Sequence, residues 1–189
     1  PLLGLRAVLL GGGSARGGVE LSALVGDHMI LQQKEKVLVW GWAAPGEEIK
    51  VVLGDHQGKA VTSKDGTWRV DLEPVASAPG PLTLTVNGKN SIKFEDVLIG
   101  DVWICSGQSN MEFPMARAHN ADSEIPKATD AQIRLFLVAK KTAGQPQRDV
   151  TGQWMVCSPD TGRGFSAVGS FFARDLRGAN SATVRLVAT

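Results

Sequence analysis

Cysteine, histidine and long apolar runs are all scarce in this chain. Only Cys105 and Cys157 are present, too few for a disulfide scaffold and without metal-ligand spacing. Cys105 reads as a small core hydrophobe, and a bond between the two thiols stays open. No run of about eighteen apolar residues occurs, so no membrane-spanning helix is expected. Neither sign of charge dominates: 20 basic residues against 19 acidic ones leave a net charge of +1. With no basic run along a face, the footprint of nucleic-acid or membrane-surface binding is missing, and partners should be neutral or weakly charged. What remains is an ordinary globular composition, 43% hydrophobic and 21% charged over 189 residues, enough for one large domain or two small ones.

Along the chain the composition changes character twice. Leu2 to Leu10 could be what is left of the apolar region of a signal peptide. Gly11 to Gly18 lacks the Gly-Lys-Ser/Thr ending of a phosphate loop and reads as a flexible linker. Residues 1–19 are therefore expected to be a signal remnant or flexible segment. From residue 20 to 95 short alternating runs recur with turn residues between them. Val37 to Trp40 precedes a turn at Ala44 to Glu47, and Ile49, Val51 and Leu53 alternate before Gly54-Asp55. Asp65-Gly66 lies between Lys59 to Thr62 and the alternating Trp68, Val70 and Leu72, a hairpin signal. Leu82, Leu84 and Val86 lead through Asn87-Gly88 to Ser91 to Phe94. Strands at this spacing predict a β-sandwich-like module. His28 and His56 read as turn or surface residues, and Trp40 and Trp154 as core aromatics that could otherwise stack on a sugar.

Residues 96–189 read differently. Val97 to Cys105 is a short apolar run ending in small residues, which predicts a buried strand of a parallel sheet. Ser106-Gly107-Gln108-Ser109-Asn110 then forms a turn at the carboxyl end of that strand, where α/β folds bind ligands and where a following helix would aim its amides. Gly107 leaves room for a close approach to the backbone, and Ser109 could offer both a hydroxyl and its own N–H. The pattern is not Gly-x-Ser-x-Gly, because Met111 stands where the second Gly would be. On residue type alone, a serine here is more often a helix cap than a nucleophile.

The run Gly100-Asp101-Val102-Trp103-Ile104-Cys105-Ser106-Gly107-Gln108-Ser109-Asn110-Met111-Glu112 closely resembles the nucleophile block of the sialate O-acetylesterase family, a branch of the SGNH hydrolases. Gly26 to Gln32 is similar to the opening strand of that family's β-rich module. The resemblance implies an all-β sandwich-like module followed by the start of an α/β SGNH-hydrolase domain with a flavodoxin-like parallel sheet, truncated in this chain. It also implies Ser109 as nucleophile, with its N–H as an oxyanion donor. The substrate would be an O-acetylated sugar, sialic acid or a related one, with no metal or organic cofactor. The setting would be secreted, periplasmic or lysosomal. Oligomeric state is not implied.

The remainder predicts a second buried strand at Ile133 to Val138, reached through a long polar loop from His119 to Asp130. A helix follows from Phe165 to Arg177, with Ser166 as cap, Val168, Phe171, Phe172 and Leu176 on one face and Gly178 closing its end. Ser181 to Val187 can be a strand, but Arg185 would be unpaired in a buried one. In the resembled family a histidine from an Asp-x-x-His pair acts as base, and this sequence contains no Asp-x-x-His. The chain is thus expected to be an inactive fragment of a serine carbohydrate esterase. The competing readings are a non-catalytic carbohydrate-binding or structural β-sandwich, and an acetylxylan-type esterase.

Overall fold

The apolar alternation of the first half closes two sheets on each other. A computed structural model describes residues 17–189 except Ser77, Pro79 and Ala182, together with the backbone of Asn180. The expected signal remnant and most of the glycine linker lie outside the described residues. One sheet has the order β1 (Glu20–Leu21), β3 (Val37–Trp42), β6 (Thr67–Leu72). The other carries β4 (Glu48–Leu53), β5 (His56–Val61), β7 (Leu82–Asn87) and the first part of β8 (Ser91–Cys105). Val37, Val39, Trp68, Val70 and Leu72 of the first sheet pack against Ile49, Val51, Leu53, Leu84 and Val86 of the second. Burying this many branched side chains, at roughly 1.5–3 kcal/mol each, is the main force closing the sandwich.

Gly54 and Asp55 make the two-residue hairpin joining β4 to β5, so His56 begins a strand instead of lying in the turn. Asp65-Gly66 does not close a hairpin. β5 pairs with β4, whereas β6 pairs with β3 in the opposite sheet. The turn is locally well made, with the Ser63 N–H bonded to the Thr67 carbonyl at 2.9 Å. The strands on either side of it nevertheless part, because Trp68, Val70 and Leu72 must face the core from the other layer.

The two strand segments expected on either side of residue 95 are one continuous strand. β8 runs antiparallel to β7 at its start, parallel to β2 (Ile30–Gln32) through Leu98 to Gly100, and parallel to β11 (Val184–Ala188) from Asp101 to Cys105. It bends at a bulge, where the register against β7 shifts and Asp96 takes φ +54°. Beyond the bulge the sheet continues β8, β11, β9 (Asp130–Leu137), all parallel, with β10 (Trp154–Cys157) antiparallel at the edge. The molecule is therefore mostly β, with one mixed sheet. Val97 to Gly100 are buried as expected, but Trp103 and Ile104 are exposed, because β2 stops pairing at Gly100 and leaves the far edge of β8 open.

Among the described residues there are three α-helices: α1 (Ala121–Glu124), α2 (Pro159–Arg163) and α3 (Ala167–Asn180). α3 covers one face of the parallel strands. Gly169 and Ala173 are buried on its inner face with Leu176 half-buried beside them, whereas Val168 and Phe172, two of the four residues read onto that face, point outward. Small residues win the inner face because the helix sits close; a Cβ on Gly169 would lie 3.1 Å from Cys105 Sγ. Ser166 caps α3 as expected, accepting the Gly169 N–H at 3.2 Å. Gly178 does not end it; the helix runs on to Asn180, and Ser181 at φ +55° terminates it.

The opposite face is covered by the sandwich. Phe136, Trp154 and Val187 belong to the same core as Met29, Val97 and the sandwich strands. Trp154 packs on Phe136 at 4.7 Å and donates to the Leu24 carbonyl at 3.0 Å. Trp154 is thus a core residue. Arg134 of β9 is buried on this face and bridges Asp96 at 2.9 Å, which in turn holds His28 Nδ1 at 2.7 Å. Burial pulls the Arg134 guanidinium below its usual range, and Asp96 and Asp130 pull it back.

Two stability predictions follow from these contacts. A methyl group on Gly100 would collide with the Thr183 carbonyl where β11 meets β8. Gly100→Ala should lower stability by about 2 kcal/mol, a fall of roughly 4–8 °C in thermal midpoint. Asp96→Ala strands the buried Arg134 and should cost about 2–3 kcal/mol by denaturant titration, while Asp96→Ala combined with Arg134→Met should recover most of that loss.

Candidate functional site

The three parallel strands end together, and their carboxyl ends carry the site. After Cys105 the chain enters the turn that presents Ser109, in which the Glu112 N–H bonds to the Gln108 carbonyl at 3.0 Å. This is one helical turn, not the start of a helix. The elements directly after it are a 3-10 turn at Met115–Arg117 and the four-residue α1, so the expected long helix does not follow the serine. Gly107 adopts φ +156°, and a Cβ there would stand 3.3 Å from Met111 Cβ, so the bend before the serine favours glycine.

The loop is pinned to the start of α3. The Ala167 N–H bonds to the Phe113 carbonyl at 2.8 Å and the Met115 N–H to the Phe165 carbonyl at 2.9 Å. Ser166 Oγ reaches Met111 Sδ at 3.5 Å. A crevice of about 370 Å³ opens beside the serine turn, lined by Met111, Glu112, Arg117 and Lys140 and by Leu137 and Ala188 at the ends of β9 and β11. Lys140 bridges Glu112 at 2.6 Å across its mouth. Glu112 closes the block read from the sequence, whereas Arg117 and Lys140 escaped that reading because each comes singly, from the 3-10 turn after the serine and from the segment after β9.

Ser109 itself is exposed and, among the described residues, makes no side-chain hydrogen bond. Its hydroxyl is free to meet a ligand, and no described side chain is hydrogen-bonded to it to take its proton. His119 lies in an exposed turn, and His56 begins β5. His28 does pair with a carboxylate, Asp96, in the arrangement that orients a catalytic imidazole. That pair sits at the bulge of β8, and the strand from Asp96 to Cys105 carries Ser109 about 30 Å away at 3.3 Å per residue. His28 therefore locks the junction and does not serve the serine.

Both thiols are free and buried, so no disulfide joins Cys105 to Cys157. Burial raises the Cys105 thiol and pushes Cys157 up to about 11, with Asp130 adding to the latter. Among the described residues no cluster of three or more His, Cys, Asp or Glu side chains could hold a metal ion.

The combination is a β-sandwich fused to a parallel layer that offers a free serine at the ends of its strands. The same architecture occurs in a carbohydrate acetylesterase from Xanthomonas citri, whose structure superposes with a TM-score of 0.86 at 36% identity, over 90% of this chain and 40% of that one. Sialate O-acetylesterase from Homo sapiens is 33% identical over 184 residues, 86% of this chain and 35% of the relative. The Mus musculus sialate O-acetylesterase is 32% identical over 151 residues, 73% of this chain and 28% of the relative. No protein-family model matches the chain. Over most of its length the chain is homologous to curated sialate O-acetylesterases, and it spans about a third of the length of those relatives.

The buried thiols yield a prediction. A raised folded-state value means the native protein holds the Cys157 proton more tightly than the unfolded chain does. The stability this gives is full below the ordinary thiol value near 9 and is lost as pH rises from 9 toward 11. Native protein at pH 8 should react with a disulfide reagent at least about tenfold more slowly than protein in denaturant, at both cysteines.

Proposed function

We propose that this chain carries the nucleophile-bearing part of a serine carbohydrate O-acetylesterase, with Ser109 as the attacking residue. The observation that carries the reading is the placement of an unpartnered, exposed serine in a pinned turn beside a crevice at the carboxyl ends of parallel strands. The matched acetylesterase and sialate O-acetylesterases give the reaction class. The substrate class is an O-acetylated sugar, sialic acid or a related one, met in a secreted, periplasmic or lysosomal setting. The β8, β11 and β9 layer with α3 is then the start of an SGNH-type sheet.

In the reaction Ser109 Oγ attacks the acetyl carbonyl carbon while a base takes the hydroxyl proton. The Ser109 N–H holds the developing oxyanion, and the sugar hydroxyl leaves with that proton. Water, deprotonated by the same base, then attacks the acetyl-serine and releases acetate. The base is assigned to a histidine outside these 189 residues, because none of His28, His56 and His119 is hydrogen-bonded to Ser109. The scheme calls on no metal or cofactor.

A hybrid tests this. Residues 17–189 should replace the corresponding part of the X. citri acetylesterase and restore hydrolysis of a chromogenic acetyl ester. Ser109→Ala in the hybrid should lower kcat/KM by about 10³-fold or more, with the thermal midpoint moved by no more than about 2 °C, as befits an exposed side chain. A folded hybrid that stays active without Ser109 would remove the serine from its role. The 189-residue chain alone should remain near the uncatalysed rate; Ser109-dependent turnover by it would move the base to His119.

A further inference from the structure

A second cavity, of about 340 Å³, lies on the far side of the parallel strands from α3. It is walled by β2 and β3 of the sandwich and by β8 and β11, and its lining holds two cations, Lys36 and Arg185, and no carboxylate. Arg185 is not idle in the fold. Its Nη1 donates to the Ile30 carbonyl at 2.6 Å, and its guanidinium stacks 4.1 Å above the Trp154 ring. This supplies the partner that the sequence did not reveal. The charge itself is not matched: among the described residues no acidic side chain bridges Arg185, its Nε is buried without an acceptor, and Nη2 has no hydrogen-bond partner.

The register sharpens the imbalance. Arg185 stands directly opposite Arg134 across the β11–β9 ladder, so two arginine side chains leave the sheet on one face. Asp96 bridges Arg134 and is shared with His28. Nothing equivalent reaches Arg185, which stays cationic at neutral pH although burial pulls it down to about 10. Lys36 at the rim forms no close ion pair among the described residues; the Asp71 carboxylate, which Arg69 bridges, lies near enough to feel its charge. Apart from Gln32, whose side-chain oxygen accepts from the Val102 N–H, the other walls are apolar, and several are open: Trp40 is 38% exposed, Leu38 39% and Ile104 72%. An uncompensated guanidinium at the floor and a bare indole at the wall together ask for a small molecule with a carboxylate at one end and an apolar face alongside.

We propose that this cavity is a binding site for a carboxylate-bearing monosaccharide, with the acid at Arg185 and Lys36 and the C–H face of the ring against Trp40. The choice of a sugar over other acids rests on the carbohydrate reading above; the demand for an anion rests on the unbridged Arg185 guanidinium in the cavity lining. The site is separate from Ser109, since its lining shares no residue with the crevice at the strand ends.

The test titrates the 189-residue chain with D-glucuronate, its neutral isostere D-glucuronamide, and benzoate, following backbone and indole N–H resonances. Glucuronate should saturate and shift the Trp40 indole signal, and glucuronamide should bind about tenfold more weakly or worse, the loss of one charged contact. Trp40→Ala and Lys36→Gln, both at exposed positions, should each weaken glucuronate roughly fivefold and leave the fold intact. Arg185→Met should abolish binding; if it unfolds the chain, the two exposed variants still decide. Ser109→Ala should bind like the parent, so loss of esterase activity and loss of this site are told apart. Equal binding of glucuronate and glucuronamide, no saturation, or indifference to Trp40→Ala would each overturn the proposal. Benzoate binding as tightly as glucuronate would overturn the sugar while keeping the anion.

Discussion

The rest of the structure depends on the backbone pairing of β8. Within fifteen residues this strand hydrogen-bonds to β7 in one direction and to β2 and β11 in the other, so the sandwich and the parallel layer share one backbone. A strand can do this only if its sides are clear where the partners change. Gly100 supplies that clearance at the crossing, because Thr183 of the approaching chain occupies the space of a side chain. The bulge at Asp96 supplies the bend. With the two layers joined in this way, the sandwich takes over what helices do in a doubly wound sheet and covers the face opposite α3.

The serine turn inherits its position from that continuity. Its upstream end is fixed by the parallel ladder through Cys105, and its downstream end by the backbone bonds from Phe113 and Met115 to the start of α3. A loop tied at both ends to regular elements holds its geometry more closely than one tied at a single end, and catalytic groups lose rate steeply with displacement. The Met111 contact to Ser166 adds a side-chain tie in the middle. The same capping serine thus ends one element and steadies another, which explains why a residue read from sequence only as a helix cap sits beside the candidate site.

Local signals in the sequence were legible, and pairings between distant segments were not. Alternation located β3, β4, β6 and β7, and a polar residue before an apolar run located the cap of α3. The block around Ser109 was legible because its residues are contiguous. The assignment of β5 and β6 to different sheets was not, since the turn at Asp65-Gly66 has the chemistry of a hairpin and only the far-off partner β3 decides otherwise. The inner face of α3 was misread for a related reason. Periodicity counts large apolar residues, whereas the close approach to Cys105 selects glycine and alanine and turns Val168 and Phe172 outward, the latter against Trp103 at 4.9 Å. Arg185 looked misplaced in a buried strand because its partners, Ile30 and Trp154, come from other parts of the fold.

The two faces of the parallel layer differ in what they specify. Against α3 the contacts are apolar and non-directional, made by Ile133, Leu135, Val184, Leu186 and Ala188. Against the sandwich the contacts are directional: Asp96 to Arg134, Arg185 to the Ile30 carbonyl, and the Trp154 indole to the Leu24 carbonyl. A slip by one residue would turn both arginines onto the apolar α3 face and leave their acceptors empty, a penalty far above the loss of a few van der Waals contacts. Burying two arginines side by side is costly in itself. What the fold gains in return is a single admissible alignment of β8, β11 and β9, and with it a fixed set of strand ends on which the Ser109 turn is built.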